Sequence, residues 1–410
     1  MFLAYSGAKG FERAGNMKKR GFLWMLILVL GITSICPVTV LAAQPNIEIT
    51  APSAVLLEAS TGKILFEKEA EEERSPASIT KIMTLFLIFE ALDEGKITLE
   101  EEAVTSAYAK SMGGSQVYLE EGEKQTVETL IKCIVVSSGN DASVVMAEHL
   151  AGSEGEFVNA MNQKAEELGM THTRFEDCCG LTDAEGHYTT AKDVAMVSRA
   201  LITKYPEVLE YSSIWMDEIV HKTARGESVF GLTNTNKMIR SYEGCIGLKT
   251  GSTSKAKYCV SSVAKRDEIT LIAVVMGAED PKARFRDAAV LLNYGFGVTQ
   301  LYVDEAEERL DPVVVKGGVE EQISCEYKEN FRYLDTEGKD LNTIEKKIVY
   351  QEEVSAPVKK GSCVGEIQYF LDGERIGTVD LVSQETVEKA TFWDMIKKVG
   401  IKWKQGFTER

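Results

Sequence analysis

The sequence predicts an α/β fold followed by a smaller, mostly β domain. Strand-like runs lie near both ends of residues 44–300, at 54–67 and 258–278, and helical patterns lie between them. This order favours an α/β sandwich built on one sheet. Short strand-like runs dominate from about Val303 to Val382, so residues 301–385 are predicted to form a small β-rich domain.

The larger domain begins with a hairpin and a buried helix. Residues 54–67, AVLLEASTGKILFE, predict two strands around a turn at Ser60–Lys63. Pro76 suits the first turn of a helix, and the run that follows, ITKIMTLFLIFEAL, is apolar on nearly all sides. That helix is therefore expected to be buried and to end near Gly95.

Two further helices are expected to enclose a polar loop. One starts near Thr126 and runs into Ser137, and the next runs from Asp141 to about Leu150. Beyond them, the β-branched and alternating residues Tyr258–Ala278 indicate adjacent strands, and residues 283–296 return to helical spacing. The loop between the two helices can therefore present its side chains to a cleft.

The N-terminus has the layout of a secretory signal peptide. Basic residues follow Met17, an apolar run extends from Phe22 to Ile32, and small residues precede position 44. We predict that residues 1–43 are a signal peptide and that translation can start at Met17. An uncleaved membrane anchor is the alternative.

Charge and cysteine content exclude several classes of protein. The chain of 410 residues has a formal charge of −17. Residues 1–43 carry a net charge of +4, so their removal leaves −21. Such an acidic protein lacks the clustered cations that nucleic acid requires. After Cys36 leaves with the signal peptide, an odd number of cysteines remains without a C-x-x-C pair. They predict small buried side chains rather than disulfides or zinc ligands, and no metal or other cofactor is expected.

Ser78 and Lys81 form the first candidate catalytic pair. A serine hydroxyl is a weak nucleophile until a base removes its proton. Lysine has an ordinary pKa near ~10.4 and can be that base only where burial or another cation lowers it. A lysine at the start of a buried helix meets this condition. The alternative is a solvated lysine beside a capping hydroxyl, and the same spacing recurs by chance at Ser252/Lys255 and Ser254/Lys257.

Two other motifs carry polar groups suited to the same chemistry. In SSGNDAS, Ser138 could relay protons and the Asn140 amide can donate and accept hydrogen bonds. In GLKTGSTSK, Lys249 could hold a substrate carboxylate and lower the proton affinity of Lys81, while Gly251 would admit a substrate backbone. The alternatives are an ordinary turn between helices and a glycine turn with an exposed lysine.

The order of these motifs resembles a known family. Ser-x-x-Lys at a helix start, Ser-x-Asn between helices and Lys-Thr-Gly opening a strand are the signature set of penicillin-recognising serine enzymes. With HYTTAKDVA and LTNTNK, they make residues 47–300 similar to the serine-type D-alanyl-D-alanine carboxypeptidases, the low-molecular-mass penicillin-binding proteins. The resemblance implies a penicillin-binding/β-lactamase-like transpeptidase fold, with an antiparallel sheet and flanking helices, for residues 44–300.

The resemblance also implies an activity and a role for each residue. Ser78 would attack the bond between the two D-alanines of a peptidoglycan stem pentapeptide, Lys81 would take its proton, and Ser138 would help to pass that proton to the leaving D-alanine. β-Lactams would acylate the same serine. The oxyanion would lie between the backbone N–H groups of Ser78 and Ser252. The substrate-binding residues implied are Asn140, Lys249, Thr250, Gly251, Ser252 and Arg284, with Lys249 and Thr250 on the terminal carboxylate.

Two positions depart from the family pattern, and two other functions remain open. Asp177–Leu181 reads DCCGL where Asn-Pro-x-Gly-Leu is common, and Ser252 stands where an aromatic residue or histidine is usual. A β-lactamase is one alternative, although none of the glutamates between 160 and 190 has a recognisable deacylating context. A penicillin-binding sensor that acylates without turnover is the other.

The last residues, 386–410, form a basic stretch with a net charge of +3. On helical spacing, one face gathers Phe392, Met395, Ile396, Val399 and Trp403. This segment is too short and too charged to span a bilayer, but a basic amphipathic helix can lie in the membrane interface. We therefore expect a membrane-anchor helix on an extracytoplasmic protein, at the outer face of the cytoplasmic membrane or in the cell wall. A helix packed on the second domain is the alternative.

Overall fold

A five-stranded antiparallel sheet organises the larger domain of the computed structural model, which describes residues 47–306 and 308–408. The strands of this domain are β1 (Ser53–Glu58), β2 (Ile64–Lys68), β3 (Glu102–Val104), β4 (Lys124–Thr126), β5 (Met216–Thr223), β6 (Gly226–Thr233), β7 (Cys245–Thr253), β8 (Lys257–Arg266) and β9 (Ile269–Ala278). The central sheet has the order β2-β1-β9-β8-β7, and every pairing in it is antiparallel. Because β7 is an edge strand, one of its sides has no strand partner among the described residues.

Helices cover both faces of this sheet. They are α1 (Lys81–Asp93), α2 (Ala107–Lys110), α3 (Val127–Val135), α4 (Asn140–Ala151), α5 (Glu154–Glu167), α6 (Ala191–Lys204), α7 (Val208–Ser212), α8 (Met238–Ser241) and α9 (Ala283–Val298). One apolar core lies between the sheet and helices α1 and α3–α6, and a second lies under α9. The central strands β8 and β9 are buried for most of their length because apolar layers lie on both faces.

The predicted elements of this domain are confirmed, with one difference at the first helix. The hairpin of β1 and β2 turns at residues 59–63, and Gly95 adopts φ +66° just after α1. However, Ala77–Thr80 forms a 3₁₀ turn, and the α-helix begins only at Lys81. Ala77 has φ +49°, which is outside the α-helical region, so the α-helix cannot extend back through Ala77 to Pro76.

The smaller domain is mostly β, as predicted. Its strands are β10 (Gln300–Asp304), β11 (Val313–Lys316), β12 (Gln322–Ile323), β13 (Cys325–Tyr327), β14 (Phe331–Asp335), β15 (Glu345–Tyr350), β16 (Val354–Ser355), β17 (Cys363–Leu371) and β18 (Glu374–Ser383). A four-stranded sheet, β13-β18-β17-β15, packs over a core in which the rings of Phe331 and Tyr369 stack at 3.7 Å. The Tyr369 hydroxyl donates to Asp304 at 2.7 Å, so the buried ring has a partner for its polar atom.

The cysteine prediction holds at all positions but one. The seven cysteines from Cys133 onwards are free thiols, and six are buried. Cys363 is exposed, which corrects the expectation for that residue. It is the first residue of β17, where the strand emerges from a turn and the core does not yet cover it.

The C-terminal segment divides into a paired stretch and a helix. Val387 and Lys389 form β-bridges with Val358 and Gly318 of the smaller domain, and helix α10 (Phe392–Thr408) follows. The helix therefore begins six residues after the predicted segment boundary at 386. Within the described residues, no helix has the length and apolarity needed to cross a bilayer. The predicted signal peptide, residues 1–43, lies outside the described residues.

Candidate active site

The centre of the site is the contact between Ser78 and Lys81. Ser78 is half-buried in the 3₁₀ turn, and Lys81, the first residue of α1, is fully buried. The Lys81 Nζ atom lies 3.0 Å from the Ser78 Oγ atom. The alternative of a solvated lysine beside a capping hydroxyl is therefore wrong, because the lysine is enclosed and aims its amine at the serine.

The surroundings of Lys81 favour its neutral form. Burial lowers the pKa of the Lys81 amine, and the nearby acidic groups oppose this shift only in part. Nζ also donates to Asn140 Oδ1 at 2.6 Å and to the Cys179 carbonyl at 2.7 Å. A neutral amine has two N–H donors and one lone pair. The two acceptors occupy the donors, so the lone pair is left to face the Ser78 hydroxyl.

Asn140 is held in one orientation by contacts on both ends of its amide. Its Oδ1 accepts from Lys81, and its Nδ2 donates to the Gly113 carbonyl at 2.7 Å. The backbone N–H of Asn140 donates to the Ser115 carbonyl, which ties α4 to the 113–115 loop. One amide hydrogen remains after these contacts, and it is available to a substrate carbonyl.

Ser138 and Lys249 form a second serine–lysine contact across the cleft. Lys249 Nζ donates to Ser138 Oγ at 2.9 Å and to the Thr250 carbonyl at 3.0 Å. Ser138 has φ +62°, an uncommon value for a residue other than glycine, and it lies in the loop between α3 and α4. The pKa of the Lys249 amine is held well below its ordinary value, first by burial and then by the positive charges of Lys81 and Arg284.

The residues after Lys249 line the open edge of β7. Thr250 Oγ1 donates to Thr235 Oγ1 at 2.7 Å. At Gly251, a Cβ atom would lie 2.9 Å from the backbone nitrogen of Ser78, so only glycine lets the serine turn approach the strand this closely. This constraint comes from the protein itself and was not predicted. Ser252 is exposed at the same edge.

Arg284 binds main-chain carbonyls of the neighbouring strands β7 and β8. Its Nη1 donates to the carbonyls of Gly251 and Cys259, at 3.1 and 3.3 Å, and its guanidinium lies 4.7 Å from the ring centre of Phe285. The side chain is buried. These contacts brace β7 behind Lys249, and a direct contact of Arg284 with substrate stays a prediction.

The DCCGL departure is a loop that supports the serine turn. Asp177 accepts backbone N–H groups from Cys179, Gly180 and Thr182. Gly180 has φ +74°, and a Cβ atom there would overlap the Ala77 carbonyl. The loop thus needs its aspartate and glycine for shape, while Cys179 contributes only a main-chain carbonyl to Lys81.

His187 contacts the 3₁₀ turn that carries Ser78, through Thr80, and not the reacting groups. Its Nδ1 accepts from the Glu176 backbone N–H at 2.9 Å, so Nε2 carries the proton and donates to Thr80 Oγ1 at 2.9 Å. Burial lowers the pKa of this imidazole. The neutral ring therefore joins the 3₁₀ turn, at Thr80, to the main chain at Glu176.

Comparison with known proteins assigns the chain to a family. The sequence model of the D-alanyl-D-alanine carboxypeptidases matches residues 39–280. The chain belongs to the D-alanyl-D-alanine carboxypeptidase family. A second model, for the C-terminal domain of penicillin-binding protein 5, matches residues 299–389.

Individual relatives of this carboxypeptidase agree with the assignment. The D-alanyl-D-alanine carboxypeptidase DacF of Bacillus subtilis is 40% identical over 354 residues, which cover 86% of this chain and 90% of the relative. Penicillin-binding protein 5 from Haemophilus influenzae is similar in structure, with a TM-score of 0.70, 27% identity, and coverage of 83% of this chain and 98% of that one. Penicillin-binding protein D2 from Listeria monocytogenes, solved in an ampicillin-bound form, has a TM-score of 0.55 and 31% identity over 62% of this chain and all of that one.

Proposed function

We propose that Ser78 is the acylated nucleophile of this serine-type D-Ala-D-Ala carboxypeptidase. The observation that carries the proposal is the 3.0 Å contact between Ser78 Oγ and the buried Lys81 Nζ, whose two other partners are hydrogen-bond acceptors. Neutral Lys81 takes the Ser78 proton as Oγ bonds to the carbonyl carbon of the penultimate D-alanine. The substrate is the stem pentapeptide of peptidoglycan, which lies outside the cytoplasm.

Ser138 and Lys249 complete the acylation step in this proposal. As the peptide C–N bond breaks, the proton passes through Ser138 to the leaving amine, and D-alanine departs. Lys249 orients Ser138 and, with Thr250, binds the terminal carboxylate of the substrate. Asn140 donates to the substrate amide carbonyl. Water then cleaves the ester on Ser78, with Lys81 again as the base, and releases the shortened peptide.

The test is acylation by benzylpenicillin, followed by intact-mass measurement and peptide mapping. We expect one adduct, on Ser78, and free D-alanine from diacetyl-Lys-D-Ala-D-Ala. Ser78→Ala should abolish both. Ser254→Ala is the matched control because Ser254 also precedes a lysine by three residues but is exposed on the turn after β7. An adduct on Ser138 or Ser252, or one that survives in Ser78→Ala, would show that the nucleophile is another residue.

We also propose that α10 holds the enzyme at the outer face of the cytoplasmic membrane. The side chains of Phe392, Trp393 and Val399 are 73%, 70% and 70% exposed, so the smaller domain leaves this apolar surface uncovered. Lys398 instead faces that domain and donates to the Gly318 carbonyl at 2.8 Å. A helix fixed on one side and apolar on another is suited to lie in a lipid interface.

The membrane proposal is tested by flotation with anionic liposomes at low and high salt. Deletion of residues 386–410 should abolish flotation and leave hydrolysis of the small soluble peptide intact. Equal flotation with and without the segment would contradict the proposal. In this arrangement residues 301–385 act as a spacer between the catalytic domain and the membrane.

A further inference from the structure

A cavity lies beside the segments that carry Ser78 and Lys249. It has a volume of about 250 Å³, and its walls include Arg74, Ser75, Glu185 and Lys255. We call it the distal pocket. Its wall comes from residues near three segments of the active site: Ser75 stands three residues before Ser78, Lys255 follows β7, and Glu185 follows the DCCGL loop.

Two residues in the wall of the distal pocket have a buried polar atom without a partner among the described residues. Ser75 is only 7% exposed, and its hydroxyl has no partner among the described residues. The Nε of Arg74 is also buried without a partner there, although its Nη2 binds Glu72 at 2.6 Å. A buried polar group without a partner costs free energy, which a bound ligand can recover.

Lys255 adds a cation that faces no carboxylate. Its Nζ donates only to main-chain carbonyls, those of Asp183 at 2.9 Å and Ala184 at 3.3 Å, and it makes no ion pair within the described part of the chain. With Arg74 and Ser75, it therefore makes the pocket suited to a carboxylate.

The wall of the pocket also contains acidic residues. Glu185 is exposed and forms no ion pair among residues 47–306 and 308–408, and Glu73 lies 3.4 Å from His172 at the rim. These acids would repel a simple anion, but they would attract an ammonium group. A group that carries an ammonium and a carboxylate on one carbon can pair with both the cations and the acids of this wall.

The proposed binding mode of the substrate leads toward the pocket. If the terminal carboxylate lies at Lys249 and the scissile carbonyl at Ser78, beside Gly251, the upstream part of the peptide leaves along β7 toward Thr253. Thr253 Oγ1 donates to Asp183 at 2.7 Å and forms the edge of the cleft. Lys255 lies on the turn that follows Thr253, the last residue of β7. A long side chain on the residue before the two D-alanines can therefore extend beyond this edge.

We propose that the distal pocket binds the zwitterionic end of that side chain, as found in a diaminopimelate-type stem peptide and absent from a lysine-type one. The proposal rests on the proposed function, because it uses the same direction of substrate binding. Ser75, Arg74 and Lys255 bind the carboxylate, and Glu185 binds the ammonium.

The test uses three pentapeptides, L-Ala-γ-D-Glu-X-D-Ala-D-Ala, in which X is meso-diaminopimelate, its side-chain carboxamide or L-lysine. For the full-length enzyme we expect kcat/KM to be about tenfold higher for diaminopimelate than for the other two, mainly through a lower KM. Ser75→Ala, Lys255→Gln and Glu185→Gln should each reduce this ratio toward one. Lys257→Gln, an exposed lysine outside the pocket, is the matched control and should preserve it.

The outcomes separate this proposal from the function on which it rests. Equal kcat/KM for all three peptides, with D-alanine still released from diacetyl-Lys-D-Ala-D-Ala, would overturn only the distal pocket. A preference for diaminopimelate that persists in all three pocket variants would overturn it as well. Failure to release D-alanine from any peptide would overturn the proposed function and the pocket with it.

Discussion

Lys249 Nζ donates to Ser138 Oγ at 2.9 Å, although the two residues are 111 positions apart in the chain. The same cleft contains the contact between Lys81 and Ser78. Two buried lysines thus each face a serine, Lys81 within its own Ser-x-x-Lys motif and Lys249 across the cleft. Neither lysine has a carboxylate at ion-pair distance among the described residues. The positive charge of Lys81 therefore adds to burial in lowering the pKa of the Lys249 amine.

This relationship predicts how the pH profile of acylation responds to loss of Lys249. Acylation requires neutral Lys81, so its rate should rise as pH increases through the pKa of Lys81. Because burial and the charge of Lys81 hold the pKa of Lys249 well below its ordinary value, Lys249 is expected to be neutral where Lys81 titrates, and Lys249→Met should leave the rising limb at the same pH. The measurement is the penicillin acylation rate against pH. Lys257→Met, an exposed change, is the control and should also leave the midpoint in place, and a midpoint that moves in Lys249→Met alone would show that Lys249 is charged where Lys81 titrates.

Lys81→Arg should stop acylation without unfolding the protein. A guanidinium stays protonated at any working pH, so it cannot accept the Ser78 proton. We expect the acylation rate to fall by at least about 10²-fold, the usual minimum for loss of a general base. Intact-mass kinetics give the rate, and the melting temperature checks the fold. Near-normal acylation by a folded Lys81→Arg enzyme would exclude Lys81 as the base.

Gly180→Ala should destabilise the enzyme more than an equivalent change elsewhere. Both Gly180 and Gly122 have positive φ, +74° and +78°, so alanine at either site costs about 1–2 kcal/mol of backbone strain. Only at Gly180 would the new Cβ overlap the Ala77 carbonyl, whereas the space at Gly122 is open. Chemical denaturation should show an additional loss of about 1–3 kcal/mol for Gly180→Ala, with slower acylation because Ala77 precedes Ser78. Equal losses at the two sites would mean that the Ala77 contact is unimportant.

The fold was predictable where the hydrophobic periodicity agrees with the residues that start or end helices and strands. The apolar run after Thr80 and the β-branched run Tyr258–Ala278 gave elements that the structure confirms. The 3₁₀ turn at Ser78 was not predictable, because it depends on the positive φ of Ala77 and on the packing of Gly180 against it. Both arise from tertiary contacts between segments about 100 residues apart, which a local pattern does not contain.

The candidate site was predictable in its side chains but not in its main-chain partners. The motifs named Ser78, Lys81 and Asn140, and the structure brings them together. The carbonyls of Cys179 and Gly113, which orient Lys81 and Asn140, have no sequence signal because every residue carries a carbonyl. The role of Thr235 as the partner of Thr250 could have been sought in LTNTNK, where a polar stretch precedes the strand that carries Lys249.

The apolar face of α10 gives a prediction that separates two contributions to membrane binding, the insertion of apolar side chains and the attraction of charges. Phe392 and Val399 lie on one side of the helix, and Ile401 lies roughly opposite on helical spacing, although all three are exposed. Glutamate at each position adds the same charge, but only the first two remove apolar surface from the proposed lipid contact. Phe392→Glu and Val399→Glu should each weaken binding to anionic liposomes by about tenfold or more, and Ile401→Glu should weaken it less. Flotation at high salt, where the charge contribution is screened, should widen this difference. If Ile401→Glu weakens binding as much as Val399→Glu, charge alone holds the helix at the membrane, and the apolar face is not inserted.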